Sequence, residues 1–175
     1  MTDPAVPAGL DPVDRLDILA AALPGAAVGR RRLAAPFAAV WQVIADLENA
    51  TARYEPGVAG VRITEQRGES LRLLVQDTAG REMAMDARLR PGWCVMQSAI
   101  LVIAFAARPV GSETLLAHLE FWRGPVAAPG SAPPAVSPVA VSPPAVSPAA
   151  VSPAALAKID QELRTIERLA LDYGR

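Results

Sequence analysis

Cysteine and histidine are almost absent from this chain, which has one of each, Cys94 and His118, in 175 residues. A single cysteine excludes an intramolecular disulfide and a cysteine-rich zinc site, and one histidine argues against a catalytic metal held by protein ligands alone. A basic surplus is missing too. The formal net charge is -1 and the pI near 5.8, so no broad positive field recruits nucleic acid or an anionic membrane; the one local cluster is "GRRRL" at 29–33. No apolar run is long enough to span a bilayer. The longest, Ala99 to Ala107, is far below the roughly 20 residues a spanning helix needs and reads as a buried strand. The first residues, "MTDPAVPAGLDPVDRLDILAA", carry acids where a secretory signal carries Lys or Arg, so a cytoplasmic location is expected. GxGxxG, GxxxxGK[ST], HExxH and CxxC are all absent, and no cofactor is implied.

Proline, by contrast, is abundant in one place. Nine of the 17 prolines fall between Pro125 and Pro153, a stretch with no charged residue, in which Ala-Val-Ser-Pro recurs from Ala135, Ala140, Ala145 and Ala150. Proline removes a backbone donor and pushes the preceding residue toward extended geometry, so this segment reads as a polyproline II-like spacer rather than a helix or central strand. A protein partner for the repeat is disfavoured, because docking sites for such segments add flanking basic residues and a PxxP spacing that the repeat lacks.

The flanks are patterned. After the insert, Leu156, Ile159, Leu163, Ile166, Leu169 and Ala170 form one stripe of an amphipathic helix that runs to Gly174, with Lys158, Gln161, Glu162, Arg164, Glu167 and Arg168 on its other faces. Near the start, Asp11 caps a short helix with Pro12 in its first turn and Leu16, Leu19, Ala20 and Leu23 on one face. "AVGRRRLAAP" is extended, and Pro36 opens a second helix through Phe37, Val40, Trp41 and Ile44 to about Leu47, with a further turn in "NATARYEP". Alternating segments then follow: "VAGVRITEQ", "SLRLLVQD", "REMAMDARLR", "WCVMQS", "LVIAFAARPV" and "TLLAHLEFWR". Period-two patterning repeated between turns predicts an antiparallel sheet with one apolar face, and hence an α+β plan.

That order, with "APFAAVWQVIADLENATARYEPGV", "RLRPGWCVMQS" and "LLAHLEF", resembles the START-related helix-grip superfamily and, within it, the bacterial polyketide cyclase/dehydrase-like proteins. The resemblance implies a curved antiparallel sheet wrapped around a long C-terminal helix, with two short helices after the first strand and an apolar ligand held between sheet and helix. The resemblance covers roughly residues 27–124 and 154–173, and with the composition it divides the chain into an N-terminal extension with a short helix (1–25), the sheet part of the domain (26–124), the proline-rich insert (125–153), which departs from the family's usual short connection, and the C-terminal helix of the same domain (154–175). The partner it implies is a small hydrophobic molecule, with no nucleic acid and no stable membrane insertion; a homodimer is admitted.

Candidate site residues follow from the alternation. Met83, Met85, Leu73, Trp93, Met96 and Phe105 are the candidate lining of the cavity, flexible methionines suiting an adaptable wall. His118 and Glu120 are the candidate acid/base pair, two residues apart in the last strand. Strict alternation with Leu115, Ala117, Leu119 and Phe121 as the apolar face, however, sends both to the solvent side. Tyr54 is a candidate at the cavity mouth. Three functions remain open: binding or transport of a hydrophobic ligand, a polyketide cyclase/aromatase or dehydratase, and an interaction module acting through the repeat.

Overall fold

The structure, a computed structural model, describes residues 9–123 and 151–173. Most of the proline-rich insert and the expected helix end at Gly174 lie outside them. The elements in order are α1 (Pro12–Ala21), β1 (Ala27–Leu33), α2 (Phe37–Ala45), α3 (Leu47–Tyr54), β2 (Val58–Arg67), β3 (Ser70–Asp77), β4 (Glu82–Arg90), β5 (Trp93–Gln97), β6 (Leu101–Val110), β7 (Glu113–Trp122) and α4 (Pro153–Tyr173). The strands make one antiparallel sheet in the order β1-β7-β6-β5-β4-β3-β2. Register shifts within β2, between Val58 and Gly60 and between Ile63 and Glu65, bend that edge.

Local chemistry sets the helix ends. The Asp11 carboxylate accepts from the Val13 N–H at 2.9 Å and Pro12 fills the first turn of α1, as the sequence predicts. Asp46 separates α2 from α3: its backbone leaves helical geometry (φ -83°, ψ 68°) and its side chain accepts from the Asn49 N–H, so the expected extra turn is a helix of its own.

The α4 helix crosses the concave face of the sheet. Ile159, Leu163, Ile166, Leu169 and Ala170 are buried there against α2, α3 and the strands. Leu156, expected on this stripe, is 42% exposed, and Glu162, expected on an outer face, is 1% exposed. Glu162 lies three residues after Ile159 and four before Ile166, so helical periodicity puts it on the buried side. Gly29 of β1 lets α4 approach closely: a Cβ there would overlap the Ile159 side chain. Two turns further on, the Glu167 carboxylate accepts from the Ala34 N–H at 2.7 Å and pairs with Arg31, tying α4 to β1.

The expectation of a single apolar face fails in the centre of the sheet. β6 and β7 are buried on both faces, because α1 packs on the convex side. There Val13 and Leu16 of α1 meet Trp93, Val102, Ala104, Ala106, Ala117 and Leu119 in a second, wholly apolar core, and the Arg15 guanidinium lies 5.4 Å from the Trp93 ring centroid. Alternation then gives no solvent side in β7. His118 (1% exposed) and Glu120 (7%) are therefore buried on the concave face with Leu116, contrary to the sequence expectation.

Candidate functional site

Between the concave sheet face, the C-terminal end of α3 and the first turns of α4 lies a cavity of about 820 Å³. Its walls are apolar and include Met83, Met85, Met96, Ile103, Phe105 and Val75. Ile100 and Trp122, 42% and 63% exposed, stand at its rim.

The six residues predicted to line it divide. Met83, Met85, Met96 and Phe105 line the cavity; Leu73 and Trp93 do not. Leu73 is closed into the main core at 1% exposure, and Trp93 points to the other face of β5, beneath α1. Tyr54 lines the cavity from inside rather than at its mouth: it is 5% exposed, its ring meets Phe105 edge-on at 5.9 Å, and its hydroxyl is 3.4 Å from the Thr51 hydroxyl. Burial raises its pKa, although the Thr51 hydrogen bond works the other way, so the phenol stays protonated.

One end of the cavity is charged. The His118 ring stacks on Phe105, its register neighbour on β6, with centroids 4.1 Å apart. Nδ1 lies 3.1 Å from the Ala104 carbonyl oxygen, which can only accept, so Nδ1 carries a proton. Nε2 donates to Glu162 Oε2 at 2.8 Å, and Glu120 Oε1 stands 3.6 Å away. Burial alone would push the imidazole pKa down, but Glu120 and Glu162 reverse this and raise it to about 9. His118 is thus an imidazolium engaged at both nitrogens. Lys158, one turn before Glu162 on α4, donates to Glu55 Oε2 at 2.6 Å, to Glu120 Oε1 at 2.5 Å and to Glu162 Oε1.

The three carboxyls differ in their protons. Burial disfavours ionisation of Glu162, yet hydrogen bonds from His118 and Glu55 hold its pKa down to about 2. Glu120 is likewise lowered against burial by His118 and Lys158. Glu55 goes the other way: burial and the adjacent Glu162 raise it to about 7, with Lys158 only partly offsetting them. Near neutral pH Glu55, which faces the cavity, is therefore the carboxyl of the three that gains and loses a proton. His118, Glu120 and Glu162 each present a ligand atom within 4.8 Å of the others, a spacing a cation could bridge. Among these described residues the Lys158 ammonium already bonds both carboxylates in that role.

Glu55, Lys158 and Glu162 are the site residues that sequence reasoning did not find. The signal for the helix pair was the i,i+4 row Lys158-Glu162-Ile166, which runs along the buried stripe. Glu55 had none, since it becomes a site residue only when α3 ends beside α4.

No protein-family model and no curated protein sequence matches the chain. Solved structures do. The chain is similar to KanY protein (17% identity, TM-score 0.56, covering 83% of this chain and 96% of that one). It is similar to TTHA0849 from Thermus thermophilus (11%, 0.56, 86% and 99%) and to Zhui aromatase/cyclase from Streptomyces sp. R1128 (15%, 0.51, 86% and 95%). The chain has the helix-grip fold, an antiparallel sheet wrapped around a long helix, in common with these structures. In this helix-grip chain the gripped helix supplies both the apolar stripe that closes the core and the Lys158–Glu162 pair that charges one end of the cavity. No helix among the described residues is long and apolar enough to cross a membrane.

Proposed function

We propose that the protein binds a small, mainly apolar molecule in this cavity, with the molecule's polar group against the Glu55–Glu120–Lys158 end. The observation that carries the reading is the combination of about 820 Å³ of apolar-walled space with a few convergent polar groups at one end. Ligand sites commonly have volumes of about 300–1,000 Å³ and this division of labour. Methionines supply a wall that can repack around different shapes. The test is uptake of the neutral fluorophore Nile red and native mass spectrometry of gently purified protein. Binding that disappears in Met83→Trp and Ile103→Trp, which fill the cavity, supports the reading. Wild-type protein that takes up neither dye nor any cellular molecule overturns it.

A second reading, an aromatase/cyclase or dehydratase acting on a polyketide-like chain, is favoured by one observation: a carboxyl with a pKa of about 7 opens on the cavity. On that reading Glu55, rather than His118 with both nitrogens bonded, transfers the proton, and Tyr54 is a neutral donor. Unchanged turnover of a poly-β-keto thioester by Glu55→Gln would remove it.

A further inference from the structure

The polar end of the cavity is rich in acceptors and has no donor to spare among its charged groups. An ammonium has three N–H donors, and Lys158 directs them to Glu55, Glu120 and Glu162. The imidazolium has two, and His118 directs them to Glu162 and the Ala104 carbonyl. Three carboxyls thus face two cations, so with Glu55 ionised the cluster holds one carboxylate more than its cations neutralise. Glu55 and Glu120 both line the cavity, whereas Glu162 is sealed behind them. The rim has the same bias: Arg81 is paired to Asp77 at 2.7 Å, and Glu82 stands beside them.

A carboxylate-bearing ligand would bring a further anion to a cluster in which three carboxyls already face two cations, with no N–H of Lys158 or His118 free to receive it. A hydroxyl could donate one hydrogen bond. A protonated amine supplies both the missing charge and several donors, and charge-assisted hydrogen bonds away from water are the strong kind. Resting on the ligand-binding reading above, we propose that the molecule this cavity selects carries a protonated amine on an apolar body, and that the ammonium is received by Glu55 and Glu120. In the empty cavity a proton on Glu55 does the same work, shared with Glu162 and bordered by Lys158 on α4, Glu120 and His118 on β7 and Tyr54 on α3.

The experiment is displacement of Nile red from the full chain at neutral pH by dodecylamine, dodecanol and dodecanoate, each below its micellar concentration. The expected order is amine, then alcohol, then acid, with the amine at least roughly tenfold tighter than the alcohol, the usual scale of one hydrogen bond to a charged group. Glu55→Gln should shrink the amine-to-alcohol ratio severalfold, thermal melting establishing that the variant is folded. Dodecanoate binding as tightly as dodecylamine, or an amine preference unaltered in folded Glu55→Gln, overturns the amine assignment and leaves the cavity reading standing. Acid binding lost in Arg81→Gln would place the polar group at the rim and overturn it likewise. Failure of Nile red and all three amphiphiles to enter overturns the cavity reading and the amine assignment together.

Discussion

The two faces of β6 and β7 are built from neighbouring residues of the same strands and do opposite things. On the convex face Ala104, Ala106, Ala117 and Leu119 pack beneath Val13 and Leu16 of α1 in a core without a charged member. On the concave face Phe105, His118 and Glu120 border a cavity that α4 only partly covers, with an imidazolium, an ammonium and three carboxyls at one end. Small residues outward and a short helix over them make a face whose stability comes from close packing. The inward face gives up that packing, and its charges persist because each has a partner.

The largest effect expected on this contrast comes from stranding a charge. His118→Leu removes the donor to Glu162 and should destabilise the protein by about 3 kcal/mol in urea unfolding, the scale for breaking a buried pair. His118→Leu/Glu162→Leu should recover most of that loss, since an apolar pair of similar volume is close to neutral; no recovery would mean that the network is more than a compensated pair. Next is Leu16→Ala, which opens a hole at a fully buried convex position and should cost about 2–4 kcal/mol while Nile red stoichiometry stays at the wild-type value. A change in stoichiometry would show that the faces are coupled.

A smaller effect is the dependence on pH. The folded pKa of His118 is raised from 6.5 to about 9, so its stabilisation is fully present below 6.5 and lost as pH rises toward 9. Glu55 is also raised, from 4.5 to about 7, and acts in the same direction in its own window. Glu162 is lowered from 4.5 to about 2, so its share is present above 4.5 and lost as pH falls below it. The melting temperature should therefore peak at mildly acidic pH and fall continuously to pH 9, and the double leucine variant should flatten the alkaline part of that fall. The smallest effect is that of Met83→Trp, which turns into open cavity space and should alter stability by less than about 1 kcal/mol while abolishing dye uptake.

How much of this was legible depends on which interaction fixes each residue. Local rules placed the α1 cap at Asp11, the strands between glycine turns and the stripe Ile159-Leu163-Ile166, because capping and periodicity act within a few residues. The side to which β7 turns His118 was not readable from β7 alone, where Leu115 and Leu119 oppose Leu116 and both faces look apolar. The apolar face of α1 held the missing information: a helix with Leu16, Leu19 and Ala20 on one side has to cover something, and covering the convex sheet leaves His118 the interior. The charged end is less legible still. Glu55, Glu120 and Lys158 belong to three elements far apart in sequence, and no spacing rule joins them.

Gly29 makes that distance consequential for the order of assembly. It sits opposite His118 in the ladder, and the close approach it allows lets Ile159 settle on β1, with Glu162 one turn on, at the imidazole. The ties that hold α4 to β1 join residues as far as 136 positions apart, Arg31 with Glu167. Contacts of such sequence separation carry the larger loop-closure cost and are expected to form after the local hairpins β2 to β7 have paired. During synthesis from the N-terminus the sheet therefore emerges first, its methionine-lined concave face bare and His118 and Glu120 still in water. Near neutral pH the histidine is expected to gain its lasting proton only when α4 docks, and the cavity is completed in the same step. Capacity to hold a ligand thus reports that the last helix has closed, and a ligand present at that moment would favour the closed chain by mass action.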